Sequence, residues 1–157
     1  MPPLPLLRLA AASLFASLAV TTFAQTPAEK PAHAKLGSMV IDWEKVPAKP
    51  TKIGERRELF DGSTPTFTNI ESHVTTLNPG ESPHAPHRHP DEEMIVVKAG
   101  TIEVTINGEA KRAGVGSVFF FASNDLHGMK NVGTTPATYF VFRFLTAATP
   151  KADTPAK

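Results

Sequence analysis

This 157-residue chain consists largely of short runs of β-branched and aromatic residues, each closed by residues that favour turns. Residues 67–77 end at an Asn-Pro-Gly sequence, and residues 101–106 end at Asn107-Gly108, a pair typical of type I′ hairpin turns. Similar runs are found at residues 57–60, 94–98, 118–121, 126–132 and 138–145. No amphipathic stretch of convincing length has a helical period. The pattern predicts an all-β sandwich or barrel.

Two of the runs, residues 119–121 and 139–144, carry aromatic side chains on both faces. A strand with one face in water would alternate more strictly between apolar and polar residues. We therefore expect both faces of these strands to be covered. A homodimer is the favoured cover, and the N-terminal arm of a monomer is the alternative.

Both ends of the chain differ from this β-rich part. Residues 1–24 contain one charge, Arg8, then a mostly apolar run and small residues before a predicted cleavage after Ala24, which is the pattern of a secretory signal peptide. The run is shorter than the roughly 20 apolar residues of a membrane-spanning helix, although an uncleaved anchor is the alternative. Residues 25–38 and 147–157 are predicted to be a disordered linker and tail, which leaves residues 39–146 as one domain. The expected location is periplasmic or secreted.

Charge and cysteine content exclude several classes of function. The formal net charge is +1, and cleavage would remove Arg8 alone, giving 1 − 1 = 0. A neutral mature chain has no electrostatic reason to bind nucleic acid or an anionic membrane, so a small molecule is the expected partner. The chain has no cysteine, which excludes disulfides, thiolate metal sites and cysteine nucleophiles.

Two polar clusters, His87-x-His89-x3-Glu93 and His127-x3-Asn131, indicate a metal site. Residues two apart on a strand point to the same face, so His87 and His89 can share one ion. Glu93 is expected to point to the same strand face as apolar neighbours. An ionised carboxylate is costly there unless it is paired or bound to metal. Three imidazoles and one carboxylate form the ligand set of a catalytic transition-metal site with exchangeable positions.

The two clusters lie in motifs that resemble those of cupins. The first motif reads Gly80-ESPHAP-His87-R-His89-PDE-Glu93-MIVVKA-Gly100. The second reads Gly116-SVFFF-Ala122-S-Asn124-DL-His127-GMK-Asn131. The resemblance implies a cupin-type double-stranded β-helix, or jelly-roll, barrel. It also implies a divalent metal held by His87, His89, Glu93 and His127, with Asn131 and the glycines in structural roles.

The chain departs from the cupin motifs at three places, none of them a ligand position. The loop of residues 81–86 is one residue longer than usual, and Ala122 replaces a proline. Asn124 stands where a turn glycine is usual. Because asparagine tolerates the left-handed conformation, we expect the turn to survive.

Several other polar residues have more than one interpretation. Glu92 is an alternative to Glu93, although it is one residue short of the motif spacing and has the opposite parity. His84 is a candidate base beside the ion, but a solvated loop histidine is the more ordinary interpretation. His73 is expected to be packed or exposed rather than a ligand. Arg143 either orients an anionic substrate or, as expected, pairs with a surface acid.

The resemblance favours an exported metal-dependent enzyme of dioxygenase, isomerase or lyase type, acting on a small molecule. The alternatives are a non-catalytic module that binds a small ligand or the metal, and an envelope domain that the metal only stabilises. Manganese or iron is slightly favoured over zinc, and nickel or copper also suits the ligands. Catalytic side chains beyond His84 are not identified. The candidate pocket walls are Phe119, Phe121, Ile102, Val104, Met129 and Met94.

Overall fold

The computed structural model describes residues 34–151, and these form an all-β barrel. A single turn of 3-10 helix at Trp43–Lys45 precedes nine strands. The strands are β1 Lys49–Thr51, β2 Gly54–Gly62, β3 Asn69–Leu77, β4 Glu92–Ala99, β5 Ile102–Ile106, β6 Glu109–Ala113, β7 Val118–Phe121, β8 His127–Asn131 and β9 Ala137–Leu145. In the described part of the chain, no helix is long and apolar enough to cross a membrane.

The strands form two antiparallel sheets. The larger has the order β1-β2-β3-β9-β4-β7, and the smaller has the order β6-β5-β8. Apolar side chains from both sheets meet in one core, which includes Ile95, Ile102, Phe121 and Val141. The predicted jelly-roll barrel is therefore confirmed.

Turn residues have the backbone conformations that the sequence predicted. Asn107 and Gly108 both have positive φ, 49° and 91°, as the hairpin between β5 and β6 requires. Asn124 has a φ of 62°, so asparagine does adopt the left-handed turn at the position where cupins usually have glycine. The substitution noted in the second motif thus leaves the turn intact.

The outer face of the larger sheet is partly covered by the chain itself. The Trp43 ring packs edge-on against Phe140 at 5.8 Å, and Phe67 lies 5.7 Å from Phe144. Phe120 on the edge strand β7 remains 54% exposed. Contacts within the same chain, the alternative to a dimer, therefore cover much of the outer face of β9 but leave that of β7 exposed.

Two of the predicted domain boundaries, 38/39 and 146/147, lie within the described residues, and the third, 24/25, lies outside them. The predicted signal peptide and most of the predicted linker lie outside them, as does the tail after residue 151. Within the last part of the linker, Lys35 forms a bridge with Ser63, and the Leu36 N–H donates to the Ser63 carbonyl at 2.8 Å. The boundaries themselves remain predictions.

Candidate metal centre

The site lies between the two sheets. Glu93 projects inward from β4 of the larger sheet, and His127 begins β8 of the smaller one. His87 pairs with His127 through two backbone hydrogen bonds of 3.0 Å, which attach the first motif to the edge of the smaller sheet. The His89 carbonyl accepts from the Asn124 N–H at 2.8 Å. These main-chain bonds bring the two sequence motifs together.

Three of the four residues that the cupin resemblance implies as ligands form one tight cluster. His87, His89 and His127 each offer a ligand atom, and the three atoms lie within 4.8 Å of one another. The fourth residue, Glu93, places Oε2 at 3.4 Å from His89 Nε2. A His and Glu cluster that could hold a metal ion is therefore present.

The hydrogen bonding of two imidazoles leaves a nitrogen free toward this cluster. His89 Nδ1 bonds the Asp91 carbonyl at 2.8 Å, and His127 Nδ1 bonds the Asp125 carbonyl at 2.9 Å. These bonds fix the N–H on Nδ1, because a carbonyl only accepts. His89 Nε2, His127 Nε2 and His87 Nδ1 are buried without a hydrogen bond. Buried nitrogens without partners are costly, so their convergence fits a metal ion.

The electrostatics of the cluster prepare neutral imidazoles at two positions. Burial lowers the pKa of His87 to about 4, and the neighbouring imidazoles add to the effect. Burial also lowers the pKa of His127. Neutral imidazole is the form that binds transition metals.

His89 and Glu93 behave as a charged pair when no ion is bound. Hydrogen bonding and charge from Asp91, followed by Glu93, raise the pKa of His89 to about 9. Burial acts to raise the pKa of Glu93, but His89 outweighs it and the net pKa is lowered. His89 Nε2 makes no hydrogen bond, so its 3.4 Å contact with Glu93 is electrostatic.

Asp91 is a site residue that the sequence interpretation missed. Its side chain is buried, faces His89 Nδ1 at 3.2 Å, and accepts from Arg143 Nε at 2.5 Å. Arg143 Nε also lies 3.8 Å from Glu93 Oε2. Arg143 was expected to pair with a surface acid, but the acid that it contacts is buried and belongs to the site. Nothing in the sequence separates Asp91 from an ordinary bend residue, because Arg143 is 52 positions away.

The other sequence candidates are placed as follows. Glu92 is exposed, on the face opposite Glu93, so it cannot reach the cluster. The His84 ring lies 4.1 Å from the His87 ring, and its Nδ1 is 3.0 Å from the Ala85 carbonyl, at the exposed rim. His73 is buried on β3. The assignment of His84 as a base stays a prediction.

A cavity of about 210 Å³ opens onto the cluster. Phe121 and Met129 line it, as predicted, and so do Ile95 and Val141. Met94 was expected as a wall candidate, but it pairs with Phe120 and Phe142 on the opposite face of β4 and β9. The cavity is small and its walls mix apolar and charged groups, which suits a small polar molecule.

Residues 73–143, which include all four predicted ligands, match the cupin domain family. The matched segment is less than half of the 157 residues, and over this segment the chain is similar to cupin domains. Among curated proteins, none matches the chain. The similarity to cupins therefore rests on this partial family match and on the fold.

Solved cupin structures share the fold at low sequence identity. An RmlC-like cupin from Shewanella frigidimarina has a TM-score of 0.57 and 17% identity, over 71% of this chain and 95% of that one. A predicted oxalate decarboxylase from Thermotoga maritima has a TM-score of 0.57 and 20% identity, over 68% and 99%. The polyketide cyclase RemF from Streptomyces resistomycificus has a TM-score of 0.57 and 17% identity, over 77% and 89%. At this identity the likeness concerns the fold alone.

Proposed function

We propose that this protein is an exported metal-dependent cupin enzyme that acts on a small molecule. The ion would be held by His87, His89, Glu93 and His127. The observation that carries the proposal is the convergence of three buried imidazole nitrogens, none with a hydrogen-bond partner, beside a carboxylate. Manganese or iron is the preferred ion, ahead of zinc.

The donor set supports a catalytic rather than a purely structural ion. Nitrogen and carboxylate ligands suit divalent transition metals, and in an octahedral ion four of them leave two positions for substrate. When bound, such an ion acts as a Lewis acid on substrate oxygens. The chain itself contributes fixed tautomers at His89 and His127, a neutral His87, and a cavity in the barrel that limits substrate size.

Two of the similar structures have the names of enzymes, but at this identity they do not define a reaction for this chain. One is described as a predicted oxalate decarboxylase and another as a polyketide cyclase. Oxalate and polyketides are both rich in oxygen, and the cavity of about 210 Å³ is small, so we propose a small oxygen-rich substrate here. Dioxygenase, isomerase and lyase reactions all remain within this proposal.

Metal content of the purified mature protein, measured by mass spectrometry, tests the site. We expect about one ion per chain in the wild type, and loss of the ion in His87→Ala and Glu93→Ala. Glu92→Ala is the matched control, since it removes an adjacent carboxylate on the opposite face and should leave metal content unchanged. A wild-type protein without metal would reject the metalloenzyme and leave a binding module.

Export is part of the same proposal and rests on residues 1–24. The chain has no Arg-Arg pair in this segment, so we propose Sec-type export of the unfolded chain, with metal acquired outside the cytoplasm. N-terminal sequencing of protein from the periplasm or medium should find Gln25 as the first residue. Recovery of the intact N-terminus in the cytoplasm would contradict this.

A further inference from the structure

A second polar cluster lines the same cavity, formed by residues of β2 and β3. His73 Nδ1 contacts Glu71 Oε1 at 2.5 Å. Arg56 Nη2 donates to Glu71 at 3.0 Å and to Glu58 at 3.1 Å. Both His73 and Arg56 line the cavity that holds the candidate ligands, whereas Glu71 lies behind them. None of these residues has a role in the metal centre.

The contact with Glu71 determines which nitrogen of His73 faces the cavity. A carboxylate can only accept, so it holds the proton on Nδ1 and leaves the lone pair on Nε2. The side chain of Glu71 is only 14% exposed, and that of His73 only 9%, so the pair is shielded from bulk water. A carboxylate placed in this way also stabilises the imidazolium that forms when Nε2 takes a proton.

The strand register places this pair opposite the metal centre. His73 on β3 pairs with Val141 on β9, and Val141 pairs with Ile95 on β4. His73 is therefore two strands away from Ile95, and Glu93 is two residues further along β4, on the same face. At about 4.8 Å per strand and 3.4 Å per residue, the two backbones are roughly 12 Å apart. Both side chains line the same cavity, which has room for one small molecule.

We infer that His73, held by Glu71, is the proton acceptor of the reaction, and that the substrate is a small carbonyl compound with a hydrogen on the adjacent carbon. This inference rests on the proposed function. A carbonyl oxygen suits the metal centre, and polarising it makes the adjacent C–H acidic enough for an imidazole. That C–H bond breaks and an N–H bond forms at Nε2. The electron pair stays on the substrate, and the proton returns to substrate or product later.

The charges around His73 favour this role. The groups that face it from neighbouring strands are Arg56 and Glu58 on β2, and Tyr139 and Arg143 on β9, with Glu71 on its own strand. The Arg56 guanidinium already donates to both carboxylates, which orients Glu71. Although atoms of Glu58, Glu71 and His73 lie within 4.8 Å of one another, Arg56 takes the place that a cation would occupy.

Imidazole NMR on the zinc-loaded protein tests the arrangement without a substrate. Long-range ¹H–¹⁵N spectra should show neutral His73 protonated on Nδ1, with Nε2 free. Glu71→Gln should weaken the preference for the Nδ1 tautomer, because an amide can also donate, whereas Glu71→Asp should keep much of that preference. A proton on Nε2 would overturn the inference, and so would a second zinc equivalent that is lost in His73→Gln.

Solvent-deuterium exchange tests the proton transfer itself, with pyruvate and dihydroxyacetone as probes and metal-loaded protein. We expect exchange by the wild type, and at least a 100-fold loss in His73→Gln at unchanged metal content and melting temperature. Glu92→Gln is the matched control and should keep exchange, because Glu92 is exposed on the outer face of β4. Exchange that survives in His73→Gln would overturn the inference. Wild-type protein that holds its metal but exchanges neither probe would also overturn it, leaving the metal site intact.

Discussion

Asp91 connects the candidate ligands to the rest of the barrel through its contacts with His89 and Arg143. It orients His89 through its backbone carbonyl and its carboxylate, and it holds Arg143, which in turn lies near Glu93. A carboxylate behind a ligating imidazole increases the basicity of the imidazole and fixes its orientation. The identity of this residue could not be predicted, because the contacts come from folding rather than from motif spacing.

We predict that Asp91→Asn weakens metal binding by roughly 10- to 100-fold, the usual cost of removing such a partner. Competition with a metal-sensitive dye would measure the affinity. Asp125→Asn is the matched control, because Asp125 reaches His127 only through its backbone carbonyl and its carboxylate bonds Asn107. Equal affinities for Asp91→Asn and the wild type would show that the carboxylate does not act on the ligands.

The metal-free protein should lose stability above neutral pH because of His89. The pKa of His89 is about 9 in the folded protein, against a reference value of 6.5. Between these two pH values the folded state therefore binds one proton that the unfolded state does not. The stabilisation is complete below pH 6.5, disappears as pH rises through 9, and amounts to at most about 3 kcal/mol. Denaturant unfolding at pH 6.5 and 9.5 would measure it. His89→Gln should abolish this dependence, and a persistent difference in that variant would assign it to another group.

The strands that could be predicted from the sequence are those with an apolar face. The run 118–121 coincides with β7, and the runs for β3, β4, β5, β8 and β9 agree within a few residues. Strand β6 was missed because Glu109–Ala113 is almost entirely exposed and its pattern shows no alternation. The Asn107-Gly108 turn and the adjacent strand β5 determine the pairing of β6, rather than the side chains of β6 itself.

Asn131 connects the end of β8 to two other segments. Its Nδ2 donates to the carbonyls of Leu77 and Thr135 at 3.0 and 2.9 Å, and its Oδ1 accepts from Gly133 N–H at 3.0 Å. The side chain is fully buried. The structural role inferred for this second-motif residue is thus visible in its contacts.

Asn131→Ala should lower the free energy of unfolding by about 2–4 kcal/mol, since it leaves buried backbone groups without partners. Urea unfolding would measure the change. The folded fraction should still bind one ion per chain, because Asn131 touches none of the candidate ligands through its side chain. Loss of metal from protein that remains folded would instead give Asn131 a part in the site.

For the whole molecule, the two sheets of the described residues have four edge strands, and three of them, β1, β6 and β7, differ in how they avoid pairing with another chain. The fourth, β8, is bridged by His87 of the same chain. β1 is short and contains Pro50, and β6 is rich in Glu, Lys and Arg. A proline and charged side chains each discourage another strand from pairing at an edge. β7 has no charge, and its Val118 and Phe120 are 58% and 54% exposed. We therefore propose that a second copy of the chain pairs along β7, since a two-fold axis sets an antiparallel edge strand beside itself.

The predicted homodimer is testable through that edge. Val118→Lys combined with Phe120→Glu should give a monomer by sedimentation equilibrium where the wild type is a dimer, because the outer face of β7 would then be charged. Val40→Lys is the control, since Val40 is 99% exposed and lies outside β7. Metal content should not change, because both substituted side chains point away from the cavity. A wild-type monomer would mean that the Trp43 and Phe67 contacts provide all the cover this sheet needs, and that β7 is an edge open to solvent.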